Sequence, residues 1–207
     1  MKSSIRPRWV ALAVLATLPL AACGGAAKKS TAEGQVGTVK LAKNSDDLAK
    51  ALNIAAPDGY MLQPDQVGDT GPSDIVKASK DDGGSDASEF LTRTGFLRGY
   101  QRMWSRSESD DFIIYLYQFA TPAGAAEYTN RVTADATTPA PDVTLGQFPV
   151  TEISGAVGVN ATAKAFANSS VTFVKGPYSV QVIVNSTTPV GLQSLATALA
   201  EEQYSRL

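Results

Sequence analysis

FLRGYQRMWSRSESDDFIIYLYQF, residues 96–119, holds two runs of β-forming residues around the polar break SRSESDD. If the first run is extended, Phe96, Arg98, Tyr100, Arg102, Trp104 and Arg106 share one face. Leu97, Gly99, Gln101 and Met103 then share the other. The second run, Ile113-Ile114-Tyr115-Leu116-Tyr117, is apolar on both faces, which marks a central strand covered on both sides. The pair therefore reads as an antiparallel hairpin, strands 96–104 and 112–119, at the middle of a sheet.

Working outward, residues 122–136 read as a helix that TTPAPD breaks. A second hairpin, 171–174 with 178–184, turns at Lys175-Gly176-Pro177. A last helix, 189–206, carries Leu192, Leu195, Ala196 and Leu199 at helical spacing. Upstream, Ser45 is a candidate N-cap for a helix over 46–54, and 60–62 reads as the start of a strand. Residues 64–72 read as loop, and short helices are expected over 73–79 and 87–94 around the turn KDDGGSD (80–86). A further strand is expected over 150–153. The order of elements predicts an α+β fold, an antiparallel sheet with helices packed on it.

Two segments, ATPAGAAEY (120–128) and TTPVGLQSL (187–195), share Thr-Pro-x-Gly after a pair of strands. Thr as N-cap and Pro at the first helical position is common helix-start chemistry. The order strand–strand–helix, occurring twice, raises a repeated ββα plan. The alternative is that two helices merely start alike.

The chain opens with Lys2, Arg6 and Arg8, followed by an apolar run, 9–20, too short to span a bilayer but fitting the core of a secretory signal. The run ends in Leu20-Ala21-Ala22-Cys23-Gly24, which resembles the lipobox of bacterial lipoprotein signal peptides. That resemblance implies a diacylglyceryl thioether on Cys23, cleavage before it by signal peptidase II, and anchoring in the cell membrane by acyl chains such as palmitate. Cys23 is the single cysteine of the chain, so once acylated it leaves no thiol for a disulfide or a nucleophile. The expected organisation is a signal peptide over 1–22, the lipidated Cys and a Gly/Ala/Lys/Ser/Thr-rich flexible tether over 23–44, and one domain over 45–207. The stretches GFLRGYQRMW, YLYQFATPAGAAEY and VTFVKGPYSVQV make the domain similar to small extracytoplasmic lipoproteins of actinobacteria. That likeness implies an envelope location and brings no catalytic motif.

The full chain has 18 basic and 20 acidic residues and no histidine. Removing the signal leaves 15 against 20, a formal charge of −5 that argues against nucleic acid as a partner. Without His, catalytic triads, imidazole bases and imidazole metal sites are excluded. No P-loop, GxSxG or SxxK pattern is present. Carboxylates are the remaining acid–base groups. Asp81, Asp82, Asp86 and Glu89 cluster in a glycine-containing turn, and Asp110 with Asp111 ends the loop of the first hairpin. DDGGSDASE lacks the ligand spacing of an EF-hand loop, so a solvated acidic turn is expected there, with calcium at Asp81/Asp86 or carboxylate catalysis as the sharper readings. No metal and no cofactor is expected.

For binding, the candidates are Arg98, Tyr100, Arg102 and Trp104. Alternating arginines and aromatics suit an anionic or sugar-bearing ligand through charge-assisted hydrogen bonds and stacking. The competing reading is that Tyr100 and Trp104 are core and the arginines lie along them with their heads in water or paired to Asp110 and Asp111. The expected function is a non-catalytic, membrane-anchored module that binds a lipid, glycan or other small amphiphile. The alternative is an accessory protein contacting an envelope protein complex, and a carboxylate-dependent hydrolase ranks last.

Overall fold

Residues 96–119 do form the central hairpin. In a computed structural model that describes residues 39–207 apart from Asn53, Gly68 and Asp69, its strands are β3 (Phe96–Ser105) and β4 (Asp111–Phe119), paired antiparallel from Phe96↔Phe119 to Ser105↔Asp111. The signal-peptide and lipobox readings lie outside the described residues. Before the hairpin come α1 (Ser45–Ala51), β1 (Met61–Leu62), β2 (Gly71–Ser73), α2 (Ile75–Asp82) and α3 (Ala87–Arg93). After it come α4 (Pro122–Ala136), β5 (Thr144–Pro149), β6 (Val157–Ala163), β7 (Phe166–Lys175), β8 (Tyr178–Ser186) and α5 (Leu192–Arg206). The strands make one antiparallel sheet in the order β1-β3-β4-β8-β7-β6-β5, with β2 also on the outer edge of β3. This is the α+β fold the element order predicts.

The two-sided apolar pattern of β4 places it between β3 and β8, and each face meets its own core. Phe112, Ile114 and Leu116 join Val180, Val182, Val184, Val171 and Phe173 under α1 and α5. Tyr117 and Phe119 join Ala78, Leu91, Ala125 and Tyr128 of α2, α3 and α4 on the reverse face. Burying each such large apolar side chain contributes about 1.5–3 kcal/mol before entropy is subtracted, so the two faces together hold the sheet. The described residues form one compact unit containing both cores.

Four expectations shift. The first helix is capped by Asn44, whose Oδ1 accepts from Asp47 N at 3.0 Å, rather than by Ser45. Residues 39–44, read as tether, belong to the domain: Tyr178 Oη takes the Ala42 amide at 2.7 Å and donates to the Lys40 carbonyl at 2.9 Å. The expected strand over 150–153 is instead a turn that tucks Val150 and Ile153 into the core, and the strands lie on either side of it, as β5 and β6. The loop read over 64–72 ends in β2, and Asp74 caps α2 through a 2.9 Å bond to Lys77 N.

The ββα order occurs twice, as β3-β4-α4 and β7-β8-α5, but the two units differ. In α4, Thr121 Oγ1 accepts from Gly124 N at 3.1 Å and Pro122 opens the helix. The second Thr-Pro-x-Gly precedes its helix, which begins only at Leu192. The helices also pack on opposite faces of the sheet.

Candidate functional site

Arg98, Tyr100, Arg102 and Trp104 share one face of β3, as their alternation requires, and that face lies under α1. α1 is short, and Leu48 and Leu52, both fully buried, pin it to the sheet. Trp104 is 2 % exposed and stacks on Phe112, with centroids 4.7 Å apart and planes 13° apart. Tyr100 is 5 % exposed and donates its hydroxyl to Asp65 Oδ2 at 2.7 Å. Burial and then Asp65 push the Tyr100 phenol up to about 12. Both aromatics are therefore core, and neither offers a ring face to solvent.

The arginines diverge. Arg98 donates to the Lys43 carbonyl. Arg106 lies over the Tyr60 ring at 5.1 Å and pairs with Asp110 at 3.4 Å. Arg102 lies over the Tyr100 ring at 5.6 Å, and its Nε is buried without a hydrogen-bond partner among the described residues. Beside Arg102 is an open depression of about 370 Å³, whose other lining residues are Asp46, Ala49 and Lys50 of α1. Two cations and one carboxylate thus border one hollow between α1 and β3.

Of the sequence-derived set only Arg102 lines this hollow, beside Lys50 and Asp46, which that set lacks. Asp46, Ala49 and Lys50 stand at i, i+3 and i+4, one helix face, and that spacing was the available signal. Nothing in the sequence of α1 says that this face meets Arg102, because the pairing depends on where α1 lands.

The acidic turn has other occupations. Arg131 of α4 reaches between Asp82 and Asp86, with Nη2 2.8 Å from Asp82 Oδ1 and 2.7 Å from Asp86 Oδ1, and stacks on Phe90. Of the two carboxylates in the calcium reading, Asp86 is thus occupied by the guanidinium, and Asp81 is turned elsewhere. A Cβ on Gly84 would stand 2.1 Å from Arg131 Nη2 and 2.9 Å from Asp82 Oδ1, so the clamp would have to shift to admit one. Hydrogen bonding to Arg131 holds the Asp86 carboxyl below its usual range.

Asp81 turns inward, to fully buried Gln101 on the other face of β3. The Gln101 amide donates to Asp81 and to Tyr117 Oη, and its oxygen accepts from Lys77. Asp110 accepts from Ser186 Oγ, and Asp111 from Asn185 Nδ2 at 2.7 Å. Among the described residues no group of three or more His, Cys, Asp or Glu side chains converges as a metal site would require.

No family model matches the chain, and no curated protein matches it. Among solved structures, the chain is similar to the extracellular domain of PknH from Mycobacterium tuberculosis at 10 % identity and a TM-score of 0.45, over 79 % of this chain and 92 % of that one. No residue of the depression takes a role from that likeness. Among the described residues no helix is long and apolar enough to cross a membrane.

Proposed function

We propose that this protein is a lipid-anchored, extracytoplasmic binding module without catalytic activity, and that its ligand is an amphiphile with an anionic headgroup seated between α1 and β3. The observation that carries the ligand reading is Arg102, whose buried Nε lacks a partner among the described residues, beside a hollow that Lys50 also borders. A buried donor left unpaired costs about 1–3 kcal/mol, and a phosphate or carboxylate oxygen at Arg102 would relieve that cost. Lys50 adds a second cation, while Asp46 suits a hydroxyl or amine on the same headgroup. Tyr100 supports Arg102, whose guanidinium lies over its ring, while Arg98 and Trp104 do not line the hollow. The anchor reading rests on Leu20–Gly24 and the acylation of Cys23 that the motif implies.

Both halves are testable separately. Labelled palmitate should enter the wild-type chain in cells and not the Cys23→Ser variant. Glycerol phosphate titrated into residues 24–207, followed by NMR, should shift the Arg102 Nε–H and amides 46–50, and Arg102→Gln should abolish those shifts. Shifts that persist unchanged in Arg102→Gln would refute the site.

A second reading, contact with an envelope protein, draws on Met61, Leu62 and Val67, which are exposed near the β1 edge of the sheet. Photocrosslinking from Met61 in the intact envelope, yielding one discrete protein adduct, would favour it.

A further inference from the structure

The chain enters the domain at one end of the sheet. Val39 packs over Gly176 in the turn between β7 and β8, where an added Cβ would stand 3.1 Å from Val39 Cγ2. Lys40 and Ala42 are bound to Tyr178 at the start of β8, and Lys43 to Arg98 at the start of β3. Residues 39–43 therefore cross the turn end of the sheet and carry two exposed lysines, Lys40 and Lys43, with Leu41 58 % exposed between them. Leu97, beside Arg98, is 50 % exposed. The acids next to this stretch are Asp46 and Asp47; Glu201 and Glu202 near the end of α5, whose Tyr204 carbonyl accepts from Lys175, and Glu127, paired with Arg93, lie toward the same end of the sheet. Asp47 accepts from the Lys43 amide at 2.9 Å, and Lys50, Lys40 and Lys43 all stand close enough to favour its ionised form.

The opposite end of the sheet holds an acidic loop. There the loop between β3 and β4 carries Glu108, Asp110 and Asp111 against Arg106. A strand the length of β3 or β7, at about 3.3 Å per residue, puts roughly 30 Å between the two ends.

We infer that the corner formed by Lys40, Leu41, Lys43, Leu97 and Arg98 rests on the anionic lipid headgroups of the membrane that holds Cys23. This rests on the anchored reading above. Two observations select a lipid surface as the occupant. First, only residues 24–38 separate Cys23 from Val39, so of the described residues those of the corner lie nearest the anchor along the chain. The corner is thus held close to the bilayer, and its own residues are the first it would meet. Second, the corner combines Lys40, Lys43 and Arg98 with the exposed Leu41 and Leu97, the pair of features that binds interfaces rich in anionic lipid. Docked in this way, the domain presents the hollow at Asp46 and Lys50, about one to two helical turns past Lys43, beside the headgroup layer.

The test uses the mature lipidated protein in vesicles of phosphatidylcholine alone or mixed with phosphatidylglycerol. Acylation of Cys23 removes the only native thiol, so single thiols can be placed by Leu41→Cys, Leu97→Cys or Val190→Cys. Val190 is 86 % exposed and follows the far end of β8. With a water-soluble maleimide, Leu41→Cys and Leu97→Cys should label at least fivefold more slowly on the anionic vesicles. Val190→Cys should label alike on both, and Lys40→Glu with Lys43→Glu should erase the difference at position 41. Equal labelling of positions 41 and 97 on both vesicles, with the acyl mass present on the protein, would overturn the docking alone. A purified chain without the acyl mass would overturn the anchored reading, and the docking with it.

Discussion

Gly124 and Gly191 hold the same place in two Thr-Pro-x-Gly segments, and the structure needs them for unlike reasons. A Cβ on Gly124 would lie 2.0 Å from the Thr94 carbonyl oxygen, so the first turn of α4 sits against the α3–β3 junction only because that side chain is absent. At Gly191 nothing lies within 4 Å of an added Cβ, but φ is +78°, a left-handed conformation. Gly124→Ala should therefore lower stability by about 2 kcal/mol or more, since backbone must move. Gly191→Ala should cost about 1 kcal/mol for strain alone. Thermal melts of the two variants distinguish the cases, and equal losses would contradict the packing argument. At this scale the sequence was partly legible. Alternation placed Arg98, Tyr100, Arg102 and Trp104 on one face, because a strand's period follows from the sequence alone. That the aromatics go inside was not decidable, because the element covering them is set by Leu48 and Leu52, over fifty residues away from Trp104.

α1 forms one wall of the candidate site, and its cap holds it. Asn44→Ala removes the bond to Asp47 N and should cost about 1 kcal/mol, seen as faster amide exchange across 45–52 with β4 and β8 unchanged. The Arg131 clamp behaves differently. Asp82 has a side chain only 1 % exposed, so Asp82→Asn, leaving Arg131 without its buried partner, should destabilise by about 3 kcal/mol. Asp86→Asn, at an exposed partner, should cost far less. Denaturant titration of the two variants measures that contrast. Elements with strong patterns, such as β3, β4, α4 and the β7–β8 hairpin, were legible. β5 and β6 were not: TLGQFP and VGVNATA lack the dense β-branched and aromatic run that marks a strand. The eye goes instead to Val150 and Ile153, which are apolar because they plug the core from a turn.

Five tyrosines, Tyr60, Tyr100, Tyr117, Tyr128 and Tyr178, have phenols held above their usual range, in each case foremost by burial. Their folded values lie above the unfolded value near 10. The stability they contribute is complete below about pH 10 and is lost as pH rises through the folded values, Tyr100 near 12 among them. Lys175, lowered by burial, acts in the opposite direction, one group against five. At the acid end, Asp86 and Asp110 are held low, chiefly by bonds from Arg131 and Ser186. Their contributions are present above about pH 4 and fade as pH falls through the depressed values. With no histidine in the chain, urea midpoints should coincide between about pH 6 and 9 and fall clearly by about pH 11. The central claim, an anionic amphiphile between α1 and β3, is tested most directly by native mass spectrometry of gently purified residues 24–207 beside Arg102→Gln. The account predicts a reproducible adduct on the wild-type chain, extractable into organic solvent and lost with Arg102→Gln. A bare mass for the wild type, unchanged after incubation with envelope lipids, would contradict it.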